Sequence, residues 1–343
     1  MTLPPRYEGN HSSNLVCKLK KFFYGLKQSP RTWFGRFIVA MKKLNYKQSN
    51  PDHTLNFKHS SSRGVTVLLV YVDDIIITGN DEGEIQNLSN CLAQEFDVKT
   101  LGRLKYFLGI EVAYSSKGIF ISQQKYITDL LAETGKSGCK PANTPIDPNQ
   151  KLCMADEENS INREMYQRLI GRPLYLTHTR PDISYQVSIL SQFTHQPKEC
   201  HLHAAYRVLH YLKGTPTKGV LFKRSGKQPP VILLLKKQNV VARSRAEAEI
   251  RALAQGICEL LWVKNLLDEL QIPLFSPLTI YCDNKSAINL VHNPVQHNRT
   301  KHVEIDRHFI KEKLEANVIC ISYIPTNKQL ADMLTKGISG TQL

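Results

Sequence analysis

One apolar segment that ends in two adjacent aspartates constrains this chain more than any other feature. Residues 65–72 form a mostly apolar, β-branched run, Asp73 and Asp74 follow at once, and a second apolar run occupies 75–78. Two such runs around a short break predict a β-hairpin with both carboxylates at its tip. A tight turn can present two carboxylates to Mg²⁺, which binds one or two carboxylates together with phosphate oxygens. A solvated Asp-Asp turn is the alternative interpretation.

The rest of the chain predicts helices and strands separated by two proline- and glycine-rich breaks. Apolar residues at helical spacing predict helices at about 29–44, 85–96, 122–135, 164–178, 181–194, 198–213, 245–270, 303–316 and 327–336. Asp81, followed three residues later by Glu84, resembles a capping box and predicts the start of the second of these helices. Strands are expected at 106–113, 118–122, 231–238, 278–282 and 318–324. The breaks at 136–160 and 214–230 give predicted domains of 1–135, 136–230 and 231–343. The alternation of strand and helix in the last domain is typical of an α/β fold.

The charge of the chain is strongly positive and unevenly distributed. Lys and Arg number 45 against 30 Asp and Glu, which gives a net charge of +15. Residues 1–70 hold twelve Lys and Arg, whereas Glu8 and Asp52 are their only acids, so +10 of the excess lies there. Aromatic residues such as Phe22 and Trp33 lie among these charges, and this pattern favours nucleic acid as the partner. A basic surface that only maintains solubility is the alternative.

Several other classes of protein are disfavoured. The longest apolar runs, 65–72 and 231–235, are much shorter than the ~20 residues of a membrane helix, and no apolar signal segment begins the sequence. We therefore expect an intracellular protein, cytoplasmic or nuclear, that is neither secreted nor bound to a membrane. None of the eight cysteines forms a C-x-x-C pair. Cys200 and His201 are adjacent on a predicted helix and cannot share one face of it, so we expect no zinc site there.

Three further carboxylates occupy short motifs in the C-terminal part. Glu249 lies in an Ala-Glu-Ala-Glu-Ile segment on a predicted helix, Asp283 follows a predicted strand, and Asp332 lies on the last predicted helix. Each of them, taken alone, is most simply a solvated surface acid. Their spacing leaves room for the elements between them but does not by itself assign a role.

Longer motifs carry a resemblance to a known family. The Tyr-Val-Asp-Asp segment at 71–74 resembles the active-site hairpin of reverse transcriptases, and neighbouring motifs narrow the resemblance to the Pol polyprotein of copia-type LTR retrotransposons. Those motifs lie at 19–33, 106–111, 180–183 and 208–215. The C-terminal part resembles the ribonuclease H domain of the same family. The resemblance implies an α+β or α/β chain: a partial reverse-transcriptase palm and thumb or connection, then an incomplete ribonuclease H-like α/β domain.

The resemblance also implies roles for residues of the polymerase part. Asp73 and Asp74 match catalytic carboxylates that bind Mg²⁺, and Tyr71 and Val72 match residues that line the primer end. Other matched positions lie near the nucleotide, the template or the primer: Lys27, Gln28, Ser29, Pro30, Arg31, Leu108 and Gly109.

A second set of roles is implied for the ribonuclease H-like part. Glu249, Asp283 and Asp332 match three of four catalytic carboxylates that hold two metal ions for phosphodiester hydrolysis. His302 lies in a segment that matches the substrate-side helix, where it is expected to contact nucleic acid.

Both sites depart from the family's pattern. Reverse transcriptases carry a further metal-binding aspartate on a strand before the motif at 19–33, but Glu8 is the only acid in that part of this sequence. Ribonuclease H carries an aspartate on its first strand, yet no Asp or Glu occurs from His201 to Ala246. The sequence reads as though tens of residues were excised between 223–230 and 231–238. Because two-metal chemistry needs a carboxylate that bridges both ions, we expect a fragment that is catalytically inactive alone.

Two alternatives stay open at this point. The chain could be a binding module that retains affinity for a primer–template or an RNA/DNA hybrid without chemistry. It could also be an active enzyme that is completed by sequence missing from this chain.

Overall fold

The structure, a computed structural model, describes most of the chain. It covers residues 29–61, 64–72, 74–96, 98–147, 152, 161–224, 238, 241–242, 244–274, 277–292 and 304–337. The chain divides into two compact units, the first of Met1–Thr100 with Leu261–Leu274 and the second of Leu101–Leu260 with Phe275–Leu343. This division does not follow the predicted domain limits, which stay predictions. No helix in the described ranges is both long and apolar enough to cross a membrane.

The described part of the first unit contains an antiparallel sheet and two helices before residue 100. Their bounds are α1 Ser29–Lys43, β1 Lys47–Gln48, β2 Leu55–His59, β3 Val65–Tyr71, β4 Asp74–Gly79 and α2 Glu82–Glu95. The strands lie in the order β1-β2-β3-β4, and each pair is antiparallel. The hairpin of β3 and β4 confirms the prediction from the apolar runs. The helix that Asp81 begins is confirmed too, because its Oδ1 accepts a hydrogen bond from the backbone N of Glu84 at 3.0 Å.

Side-chain alternation along β3 creates the core of this unit. Thr66, Leu68 and Val70 are buried, whereas the residues between them are half-buried. This is the period of two that a strand requires when one face is covered. Leu68 and Val70 pack against α1 and α2 in a cluster that also contains Phe37, Ala40, Met41, Tyr46, Leu88, Leu92 and Phe96. The core thus holds the sheet in place and leaves the β3–β4 tip exposed.

A cluster of four helices forms the main core of the second unit. The helices are α3 Gln124–Glu133, α4 Arg163–Leu176, α5 Ser184–Ser191 and α6 Glu199–Gly214, and a 3₁₀ turn at Pro181–Ile183 leads into α5. Fully buried side chains include Ile127, Tyr166, Val187 and Leu209, one from each helix. The predicted helices at 164–178, 181–194 and 198–213 are therefore confirmed, with the second shortened by the 3₁₀ turn.

A buried ion pair joins the 3₁₀ turn to α6. Arg180, 1% exposed, donates from Nε and Nη2 to the two carboxylate oxygens of Asp182 at 2.9 and 2.7 Å. It also donates to the carbonyl and the hydroxyl oxygen of Thr215, and Tyr211 donates its hydroxyl proton to Asp182 at 2.6 Å. Burial alone raises the pKa of Asp182, but the hydrogen bonds and charge of Arg180 override it and the pKa is lowered. The Arg-Pro-Asp sequence at 180–182 is thus a structural element of the helical core.

A second antiparallel sheet contains a strand that the sequence did not predict. Its strands are β5 Tyr106–Phe107, β6 Ile110–Ser115, β7 Gly118–Ser122 and β8 Gly219–Lys223, in that order. Strand β8 lies in the region 214–230, which is predicted as a break because of its glycines and prolines. Gly219 is required there, since a Cβ atom would collide with the backbone carbonyl of Ile121 on β7.

The C-terminal part combines helices with a two-stranded parallel sheet. Its elements are α7 Arg245–Glu269, β9 Leu278–Cys282, α8 Lys285–His292, α9 Glu304–Glu315, β10 Ile319–Tyr323 and α10 Asp332–Thr335. The register runs from Leu278–Ile319 to Cys282–Tyr323. The predicted helix at 327–336 is wrong in extent, because extended backbone at Gln329 separates a 3₁₀ turn at Thr326–Lys328 from the short α10. The predicted strand at 231–238 lies almost entirely outside the described residues.

Candidate active-site and nucleic-acid-binding residues

The β3–β4 hairpin presents its tip to solvent through a strained turn. Tyr71 and Asp74 form the last cross-strand pair, so the turn has two residues. Val72 has a φ of +48°, which a β-branched side chain rarely adopts and which costs about 1–2 kcal/mol. Tyr71 is 51% and Val72 64% exposed, and Asp74 is exposed at the start of β4. Asp73 lies outside the described residues. Core packing does not account for a strained backbone at an exposed residue. Such strain is typical of functional sites.

The start of α1 carries part of the predicted nucleotide-side set. Ser29, Pro30 and Arg31 occupy its first turn, with Pro30 and Arg31 exposed, whereas Lys27 and Gln28 lie outside the described residues. Pro fits the first turn of a helix because its missing N–H would have no helical acceptor there. The structure therefore places the described members of this set at an exposed helix N-terminus, where backbone N–H groups favour anions.

Leu108 and Gly109 form the two-residue turn between β5 and β6. Their φ angles are +48° and +82°, the signature of a type I′ hairpin turn, and Phe107 pairs with Ile110 across it. Tyr175 of α4 donates its hydroxyl proton to the Leu108 carbonyl. No local feature of the sequence marks Tyr175, because its contact spans 67 residues. It fixes the position of the turn relative to the helical core.

The three C-terminal carboxylates come from separate elements of the second unit. Asp283 directly follows β9, and Thr326, which begins the 3₁₀ turn after β10, donates its hydroxyl proton to Asp283 Oδ2 at 2.9 Å. Parallel strands bring these two carboxyl ends to one edge of the sheet. Asp332 begins α10 and pairs with Lys336 at 2.8 Å. Glu249 lies near the start of α7 and is half-buried. His302 lies outside the described residues.

Glu249 lies within electrostatic reach of both other carboxylates. The pKa of Glu249 is raised, chiefly by burial and then by the negative charges of Asp283 and Asp332, with Lys336 opposing them. The pKa of the buried Cys282 thiol is also raised, first by burial and further by Glu249 and Asp283. The structure therefore collects the predicted set into one acidic cluster, which we define as Glu249, Asp283 and Asp332. Lys336 lies beside this cluster, and no motif in the sequence marks it.

A neighbouring glutamate on the same helix, Glu247, has its negative charge neutralised by an arginine. Glu247 is 5% exposed, and its carboxylate forms an ion pair with Arg251 at 2.8 Å, one helical turn further along. Glu249 lies two residues away and faces two acids instead. Two glutamates of one sequence motif thus have opposite electrostatic surroundings.

The charge of the acidic cluster suits a divalent cation, but the positions of its side chains do not form a metal site. Carboxylate oxygens are the ligands that Mg²⁺ prefers, and a cation would relieve the repulsion that raises the pKa of Glu249. Within the described ranges, however, no group of three or more His, Cys, Asp or Glu side chains is placed to hold a metal ion. The residues described do not by themselves complete a metal site.

The sequence of this chain is similar to a known protein family and to several transposon proteins. Residues 1–148 match the family described as reverse transcriptase (RNA-dependent DNA polymerase). The chain is 39% identical to the retrovirus-related Pol polyprotein from transposon RE1 of Arabidopsis thaliana, over 99% of the chain and 25% of that protein. It is 37% identical to the one from transposon RE2 of the same plant, with the same coverage. The corresponding protein from transposon TNT 1-94 of Nicotiana tabacum is 32% identical over 98% of the chain and 28% of its own length.

These matches establish the class of protein. The chain belongs to the reverse transcriptase family of retrovirus-related transposon Pol polyproteins and is a fragment of a retrotransposon polymerase. It spans about a quarter of the length of the RE1 and RE2 polyproteins. No solved structure matches it significantly.

The alignments also reveal positions that this chain lacks. The match to the RE1 polyprotein runs over 370 positions, but the chain has only 343 residues, so at least 27 positions of the relative have no counterpart. The match to the RE2 polyprotein runs over 368 positions, which leaves at least 25 without a counterpart. These unmatched positions lie inside the matched regions.

Proposed function

We propose that this chain is a nucleic-acid-binding remnant of a copia-type polymerase and ribonuclease H that does not catalyse either reaction by itself. The observation that carries the proposal is the internal deficit of at least 27 positions against the RE1 polyprotein. It agrees with the absence of any Asp or Glu from His201 to Ala246, where the resemblance expects the first ribonuclease H aspartate.

The acidic cluster supports the ribonuclease H origin and also its inactivity. Glu249, Asp283 and Asp332 come from a helix, a strand end and a C-terminal helix, the elements that the resemblance assigns to them. The role of a further carboxylate in such a site is to bridge two ions and hold them at a fixed distance. Without it, two ions would have no shared ligand, and the charge of the remaining acids is balanced only in part, by Lys336. A loss of about a thousandfold or more in rate is a reasonable expectation, equal to about 4 kcal/mol in the barrier.

Binding to nucleic acid needs none of these ligands. The chain carries a net charge of +15, and the start of α1 and the Leu108–Gly109 turn are exposed at matched positions. Lys and Arg side chains that contact phosphates release counterions, so affinity falls linearly with salt on a logarithmic scale. The proposed partner is a primer–template or an RNA/DNA hybrid, in the cytoplasm or nucleus.

The test uses the full chain, purified and assayed with both substrates. We expect salt-sensitive, sequence-indifferent binding of an RNA/DNA hybrid by fluorescence anisotropy. Neither primer extension nor cleavage of the RNA strand is expected with Mg²⁺ or Mn²⁺. A repaired chain that carries the missing segment is the matched control, and we expect it to regain hybrid cleavage. Primer extension or cleavage by the unrepaired chain contradicts the inactivity, and no binding at low salt contradicts the proposal as a whole.

A further inference from the structure

One face of the β5–β8 sheet carries an exposed row of large apolar side chains. Tyr114 of β6 lies opposite Ile119 of β7, and Ile119 lies opposite Phe222 of β8. Because directly opposed residues share a face, the three form one row across the sheet. They are 37%, 41% and 55% exposed in that order. We refer to Tyr114, Ile119 and Phe222 as the apolar row.

The face around the apolar row is uniform in chemistry. The next row on the same face consists of Val112, Ile121 and Val220, which are half-buried. The opposite face is mixed. It carries Ala113, Phe120 and Leu221 in one row and also Glu111, which accepts hydrogen bonds from the Ser122 hydroxyl and the Gln124 backbone N. The apolar row is thus the more exposed of two apolar rows on one face of the sheet.

Basic groups surround this row. The guanidinium carbon of Arg103 lies 3.6 Å from the centre of the Tyr114 ring. Lys117 lies in the turn between β6 and β7, and its carbonyl accepts a hydrogen bond from the backbone N of Arg224, the residue after β8. Residues 101–125 and 216–224, which contain the sheet, hold seven Lys and Arg against one acid. The chemistry is therefore aromatic and apolar in the centre and cationic at the edge.

An apolar centre with a cationic edge favours one kind of partner over the others that could bind an apolar face. A second copy of the chain would bring the same basic edge to the contact, and like charges would oppose it. A single strand of nucleic acid offers flat bases for the row and phosphates for the cations. A duplex does not offer the flat faces, because its bases stack on one another.

We propose that the apolar row is a binding site for single-stranded nucleic acid, in which an unpaired base stacks on Phe222, the most exposed member of the row. Arg103, which lies over the Tyr114 ring, contacts the phosphates together with Lys117 and Arg224. The proposal rests on the proposed function in nucleic-acid binding and adds a site to it. This site is distinct from the β3–β4 tip and from the Leu108–Gly109 turn, which lies at the other end of β6.

Adjacent residues of β8 provide a matched pair of variants. Phe222→Ala shortens the apolar row, whereas Leu221→Ala removes a neighbouring side chain, 38% exposed, from the opposite face. In the full chain, we expect Phe222→Ala to weaken binding of a labelled twelve-nucleotide oligothymidylate by about 5- to 100-fold. Leu221→Ala should change it by less than about twofold. Neither variant should change the affinity for a blunt duplex, and Phe222→Trp should restore single-strand binding.

The outcomes separate this inference from the proposed function. Equal effects of the two alanine variants on oligothymidylate binding overturn the inference but leave general binding intact. A loss of duplex affinity that matches the loss of single-strand affinity also overturns it. A change in oligomeric state by sedimentation for Phe222→Ala, without a change in binding, assigns the row to a protein contact instead. If the unaltered chain binds no nucleic acid, the proposed function fails together with the inference.

Discussion

Asp182 in the helical core and Glu249 in the acidic cluster are both partly withdrawn from water, but their surroundings differ in charge. Asp182 accepts two hydrogen bonds from the buried Arg180 and one from Tyr211, and its pKa is lowered. Glu249 meets two further acids, and its pKa is raised. In the first arrangement the carboxylate is paired with a buried guanidinium, which favours stability. In the second, Lys336 pairs with Asp332 and balances only part of the negative charge, and Glu249 keeps a raised pKa.

The largest expected effect comes from breaking the balanced pair. Asp182→Ala leaves the Arg180 guanidinium buried without its carboxylate, and we expect a loss of about 3–5 kcal/mol in the free energy of unfolding, measured in urea. The control is Asp147→Ala, which removes the partner of Arg207 in an ion pair of 3.5 Å that is more than a third exposed on both sides. That loss should stay below about 1 kcal/mol. Similar losses in the two variants contradict the role assigned to the core pair.

The two glutamates of α7 sharpen the same comparison within one helix. Glu247→Gln removes the charge that pairs with Arg251 and should cost about 1.5–3 kcal/mol. Glu249→Gln removes a repelled charge and should raise the free energy of unfolding at neutral pH by up to about 1 kcal/mol. Thermal unfolding of both variants at pH 7 measures the difference. A destabilised Glu249→Gln variant contradicts the acidic cluster as described.

The pH dependence of the free energy of unfolding tests independently whether the pKa of Glu249 is raised. A raised pKa in the folded state means that the folded chain binds more protons, so this residue lowers stability as pH rises above about 4.5, the ordinary pKa of a glutamate. Asp182 has the opposite sign, since its lowered pKa contributes stability above its ordinary value that is lost as the pH falls. Glu249→Gln should therefore flatten the decline above pH 4.5, in urea unfolding curves recorded from pH 4 to pH 8. An unchanged slope refutes this assignment.

The backbone strain at Val72, like the repelled charge of Glu249, lowers the stability of the folded chain. Val72→Gly should relieve the cost of the left-handed conformation and raise the free energy of unfolding by about 0.5–1 kcal/mol, after the greater entropy of glycine is subtracted. Val67→Gly, in the regular part of β3, should lower it by about 1 kcal/mol or more. A loss in both variants means that the tip is not strained.

The smallest effect concerns an exposed carboxylate that has a partner. Asp81 caps α2, and its pKa is lowered by the backbone N–H of Glu84 and by the Ser60 hydroxyl. Asp81→Asn retains an oxygen that can cap the helix but not the charge. It should therefore be slightly less stable than the unaltered chain above pH 3.8, by a difference that shrinks as the pH falls through the lowered pKa. Differential scanning calorimetry at pH 3 and pH 7 measures this difference, which reverses if the charge is unfavourable.

Local patterns were enough to predict the elements that a short stretch of sequence specifies. The β3–β4 hairpin follows from two apolar runs, and the start of α2 follows from Asp81 and Glu84. Strand β8 could not be predicted in this way, because Gly219 reads as a breaker unless its close neighbour on β7 is known. Likewise, the extended backbone at Gln329 interrupts a segment that has helical spacing.

The candidate sites show the same limit. Motifs identified Glu249, Asp283 and Asp332, and the structure brings them within electrostatic reach, but their roles stay predictions. Burial and like charge at Glu249 depend on distant parts of the chain, so the residue taken alone is indistinguishable from a solvated surface acid, and only the resemblance identified it. Tyr175 and Thr326 contact their partners across 67 and 43 residues, and no local signal marks either.

The pairing of β7 with β8 has a consequence for the order in which the second unit folds. The register joins Gly118 to Lys223 and Ser122 to Gly219, so about a hundred residues of chain, including α3 to α6, separate the two strands. Closing so long a loop is slow unless the intervening helices have already collapsed. Synthesis from the ribosome therefore leaves β7 as an open edge until the helices are complete, and during that interval the sheet is most vulnerable to pairing with other chains.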